Sequence, residues 1–81
     1  MVKLFIHNDD IHSFNDVILI LSNMFDYPLN QCASIAHIIH TTGNCCVKEG
    51  GYTELFDYQN KLNYLKFETE IQNGRRKGAK K

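Results

Sequence analysis

Pro28 is the only proline in the chain, and it falls between two stretches of helical periodicity. Before it, Phe14, Val17, Ile18, Leu21, Met24 and Phe25 recur at three- and four-residue spacing, the pattern of a helix with one buried face. After it, Cys32, Ile35, Ala36 and Ile39 form a second stripe, predicting a helix over Leu29 to Thr42. Proline disfavours helical geometry in the residue before it, so Asp26-Tyr27-Pro28 divides the run into two helices. Ser13 is placed to cap the first, with Asn15 and Asp16 in an opening turn where negative charge suits the helix dipole. Gly43 stands where the second needs a C-terminal cap.

The flanking segments read as strands. Val2 to Ile6 is a β-favouring run that ends in the polar cluster His7-Asn8-Asp9-Asp10, a strand followed by a turn. Asn44 to Lys48 predicts a second strand and Glu49-Gly50-Gly51 a loop. Thr53 then stands as an N-cap for a third helix with Leu55, Tyr58, Leu62 and Leu65 on one face. From Leu65 onward, Leu65, Phe67, Thr69 and Ile71 alternate with Lys66, Glu68 and Glu70, a half-buried strand pattern. The predicted order is β-α-α-β-α-β. It forms one small α+β domain over residues 1–73, three helices packed on a three-stranded, mostly antiparallel sheet. A basic tail, expected to be disordered, follows at residues 74–81.

Charge and cysteine content narrow the function classes. The tail carries Arg75, Arg76, Lys77, Lys80 and Lys81, whereas the preceding body has four lysines against nine carboxylates. Nucleic-acid affinity comes mainly from neutralising phosphates, so an acidic body leaves only weak contact through the tail. No apolar stretch approaches the ~20 residues that span a bilayer, and the opening residues lack the layout of a signal peptide. No membrane association is expected. Three cysteines cannot all pair within one chain, which makes the reducing cytoplasm the expected compartment.

Generic chemical motifs are absent from the sequence. It has no Gly-rich phosphate loop, no serine elbow and no paired CxxC, and no nucleophile-base pair is recognisable. Adjacent Cys45 and Cys46 would point to opposite faces of a strand. His37 and His40 share a helix face at i, i+3, but no second compact pair completes a zinc set. Neither metal, cofactor nor catalysis is therefore expected. Taken alone, Asn8-Asp9-Asp10 signals a turn, because these side chains hydrogen-bond nearby backbone.

In combination these residues are more specific. Leu4-Phe5-Ile6-His7-Asn8-Asp9-Asp10, a helix, and a second helix ending Ile39-His40-Thr41-Thr42-Gly43 closely resemble the ClpS adaptor family. Members of that family recognise destabilising N-terminal residues and deliver their owners to the Clp protease. The resemblance covers Leu4–Gly43 and is weaker over Thr53–Ile71. It implies that Asn8, Asp9 and His40 surround a free α-ammonium group, while Asp10 and the rim residue His12 hold the first peptide residues. It further implies an apolar hole walled by Phe14, Val17, Ala36 and Ile39 for the first side chain. The implied partners are N-degron peptides and the N-terminal domain of the Clp AAA+ unfoldase.

The implied chemistry is physically coherent. An N-terminal ammonium offers three donors that no internal peptide bond possesses. His40 must be neutral to accept from it, so acid should weaken binding. The sequence departs from the family pattern at Phe14 and Ala36, where methionine is common, and at His12-Ser13, where Thr-Pro is common. The expected third helix is shortened, and extra residues fall at Glu49-Gly50-Gly51. A rival reading takes the domain as a small structural or ribosome-associated module that touches RNA through its tail.

Overall fold

Leu4 and Ile6 are fully buried while Lys3, Phe5 and His7 stay partly exposed, the two-residue alternation of a strand covered on one face. In the computed structural model, which describes residues 1–73, this strand is β1 (Val2–His7). It is followed by α1 (Phe14–Phe25), α2 (Leu29–Thr42), β2 (Asn44–Gly50), α3 (Tyr52–Tyr64) and β3 (Glu68–Asn73). The order is the predicted β-α-α-β-α-β. The sheet runs β2-β1-β3, with β1 at its centre and antiparallel to both neighbours. The basic tail expected at 74–81 lies outside the described residues.

Local chemistry explains the helix ends. Ser13 caps α1 in a reciprocal box: its hydroxyl accepts from the Asp16 N–H, and the Asp16 carboxylate accepts from the Ser13 N–H. Asp26 ends α1 in the left-handed region at φ 58°, and Pro28 then occupies the N-cap of α2. Gly43 closes α2 at φ 100°, a conformation open to glycine because it lacks a Cβ.

A bulge joins the sheet to the helical layer. The β1–β2 register pairs Leu4 with Lys48 but Phe5 with Cys46, leaving Val47 without a partner. Val47 is buried, and its carbonyl accepts from the Tyr27 hydroxyl at 2.6 Å. The link between α1 and α2 is thereby tied to β2. The core gathers Leu4 and Ile6 with Val17 and Leu21 of α1, and with Cys32, Ile35, Ala36 and Ile39 of α2. Val47, Leu55, Leu62 and Phe67 complete it.

Three expectations need correction. β2 continues to Gly50, which pairs with Val2, so Gly51 alone makes the turn and becomes the N-cap of α3. Thr53 lies inside that helix and does not cap it. At the other end, the strand predicted from Leu65 begins at Glu68. The amides of Leu65, Lys66 and Phe67 close the last carbonyls of α3, with Lys66 left-handed at φ 73°, and are unavailable to the sheet ladder.

Candidate functional site

The turn after β1 is fastened to the end of α2. The Asn8 N–H donates to the Gly43 carbonyl at 2.8 Å, and the Gly43 N–H returns to the Ile39 carbonyl at 2.9 Å. Asn8 is thus anchored beside the last turn of α2, the turn that carries His40. Both side chains are exposed. The His40 ring lies against Phe14, the first residue of α1, with centroids 5.7 Å apart and planes inclined by 26°. Helix packing therefore brings together three predicted site residues that stand far apart in sequence.

The remaining apolar residues of the predicted hole lie deeper. Val17 follows Phe14 by one turn on α1, and Ala36 and Ile39 precede and adjoin His40 on α2. All three are at most 4% exposed and belong to the core. They belong to the same core cluster, on the two helices that carry Phe14 and His40. Open hollows lie elsewhere. One of about 440 Å³ sits between the C-terminal ends of α1 and α3, lined by Met24, Lys61, Tyr64 and Leu65. Another, of about 290 Å³, is bordered by His12, Asp16, Leu19 and Phe67.

Asp9 faces its own turn. One carboxylate oxygen accepts from the Ile11 and His12 amides at 2.9 and 2.8 Å, and the other lies 2.9 Å from His12 Nδ1. Burial alone would raise its pKa, but the His12 side-chain bond and the two backbone bonds outweigh it and hold the carboxyl below its usual range. The second nitrogen of His12, Nε2, meets the Leu65 carbonyl at 2.9 Å, and the ring stacks on Phe67 at 3.7 Å. Asp10 is exposed beside them. The i, i+3 spacing of Asp9 and His12 is visible in the sequence, whereas the parts played by Leu65 and Phe67 carried no sequence signal.

The electrostatics favour a cation. The C-terminus of α2 presents the negative end of a helix dipole, and Asp9 and Asp10 stand on the adjoining turn. An imidazole nitrogen and an amide oxygen beside an apolar floor provide acceptors for a charged donor with a hydrophobic neighbour. Among the described residues, no three His, Cys, Asp or Glu side chains cluster closely enough to hold a metal ion. Cys32, Cys45 and Cys46 are free, and burial pushes each thiol pKa up, away from the reactive thiolate. No helix among the described residues is long and apolar enough to cross a membrane.

The family model that matches this chain is one of protease adaptors. Residues 1–72 match the family model for the ATP-dependent Clp protease adaptor protein ClpS, and the chain belongs to that family. No individual curated protein matches it. Family membership makes its role that of an adaptor of the Clp protease.

Proposed function

We propose that the surface shared by the Asn8–Asp10 turn, Phe14 and His40 binds protein N-termini with a free α-amino group and a bulky hydrophobic first side chain. The adaptor then delivers their owners to the Clp unfoldase in the cytoplasm. Asn8 accepts from the ammonium through its amide oxygen and His40 through an unprotonated ring nitrogen. Asp9 adds negative charge from behind, and Asp10 borders the first peptide residues. The first side chain packs against the Phe14 ring, over Val17, Ala36 and Ile39. Leu, Phe, Tyr and Trp fit this description, and Ala36 leaves room for β-branched Ile or Val.

One observation carries the reading: the 2.8 Å bond from the Asn8 amide to the Gly43 carbonyl, which holds Asn8 at the helix end bearing His40. Charge-assisted hydrogen bonds contribute roughly 1.5–3 kcal/mol each and a buried Leu or Phe side chain about the same. Set against the cost of association, the total corresponds to micromolar or somewhat tighter binding. Fluorescence anisotropy with Leu-first peptides tests it. Free N-termini bind and acetylated ones do not, and Asn8→Ala and His40→Ala each weaken binding. Equal affinity for blocked and free termini would exclude this mechanism.

A further inference from the structure

His12 sets both ring nitrogens within hydrogen-bond distance of acceptors, which a neutral ring cannot satisfy together. Its side chain is only 13% exposed, enclosed by the Asp9 turn, the Leu65 carbonyl and the face of Phe67. Nδ1 lies 2.9 Å from an Asp9 carboxylate oxygen, and Nε2 lies 2.9 Å from the Leu65 carbonyl oxygen. Both partners are acceptors. The carbonyl has no proton to give, and Asp9 is kept ionised by its hydrogen bonds. Neutral imidazole has one N–H and would leave a nitrogen lone pair facing an oxygen lone pair, whereas imidazolium donates to both. The charged groups around the ring agree with this state. Asp9 faces it from the turn, and Asp16 of α1 borders the same hollow. The α3–β3 corner contributes the Leu65 carbonyl and the Phe67 ring.

We propose that His12 is a positioning residue: as a doubly protonated strut, it fixes the amine-recognition turn to the α3–β3 corner. The strut stands on geometry alone, while its consequence for peptide affinity rests on the function proposed above. It connects residues 53 positions apart, and it holds Asp9 in the shape that lets Asn8 project beside α2. The two histidines of the site then have opposite requirements. His40 must be neutral to accept from an ammonium, and His12 must be charged to donate twice.

The peptide amine itself loses its proton near pH ~8, so the strut is read first on the chain alone. Nuclear magnetic resonance of the full chain, with labelled histidine nitrogens, should find protons on both His12 ring nitrogens near neutral pH. The Ile11 and His12 amides, which donate to Asp9, should be protected from exchange in the wild-type chain and exchange faster in His12→Phe. A singly protonated His12 ring alongside protected amides overturns the proposal. The second measurement uses His12→Phe, which retains a ring on Phe67 and loses both N–H groups. A fluorescein-labelled Leu-first peptide should bind it about tenfold more weakly, the equivalent of one charge-assisted hydrogen bond. If that variant does not fold, His12→Gln, with a single amide donor group, is measured in its place. Undiminished affinity in a folded variant also overturns the proposal. Should the wild-type chain ignore free N-termini altogether, the function reading fails, and the ring protons still decide the strut.

Discussion

The Phe14 ring rests against the His40 ring, with centroids 5.7 Å apart and planes 26° from parallel. This contact joins the start of α1 to the last turn of α2. Phe14 is 38% exposed, so part of its ring meets solvent.

Phe14→Ala should therefore affect recognition more than folding. Losing the ring contact weakens binding of a Leu-first peptide by about 1 kcal/mol, roughly fivefold. The thermal midpoint should change little, because much of the ring already meets solvent. Anisotropy and thermal denaturation on the same preparation separate the two effects.

Gly43 offers a test of the anchor at the end of α2. At φ 100° an L-alanine is strained, and a Cβ there meets no atom within 4 Å, so the cost comes from the backbone rather than from a clash. Gly43→Ala should destabilise by about 1–2 kcal/mol. The D-alanine version made by chemical synthesis accepts this conformation, and should be neutral or stabilising by about 0.4–1 kcal/mol through a less flexible unfolded chain. Opposite signs for the two enantiomers, measured in denaturant, identify the backbone as the cause.

Asp9 should shape the acid side of the stability curve. Its folded-state pKa lies below the ordinary aspartate value of about 4. The stabilisation is therefore present above that ordinary value and disappears as pH falls through the lower, folded-state one. Asp9→Asn should reduce stability at neutral pH and flatten the decline between about pH 5 and pH 2. Chemical denaturation across that range checks both.

Leu21 is fully buried between the helices and the sheet. Leu21→Ala should cost about 2–5 kcal/mol through lost burial and the cavity left behind. A domain of this size is stable by only about 4–12 kcal/mol in total, so the thermal midpoint should fall by about 8 °C or more, at about 4–8 °C per kcal/mol.

The helix pair was legible because its signals are local. The stripe Cys32, Ile35, Ala36 and Ile39, the Ser13 cap, the Gly43 stop and the break at Pro28 each depend on neighbours within a few residues, and each matches the structure. Thr53 and Leu65 misled for the opposite reason. Where α3 begins follows from how far β2 pairs along β1, and where β3 begins follows from amides already engaged by the end of α3.

The residue string by itself determined the element order, the buried faces and the spacing that marks an adaptor of the Clp protease. Tertiary structure alone decided that Asn8 is tied to Gly43, that Phe14 meets His40, and that Leu65 and Phe67 enclose His12. Periodicity and capping are properties of adjacent residues. A hydrogen bond across 53 positions exists only after the sheet has brought both ends to one corner.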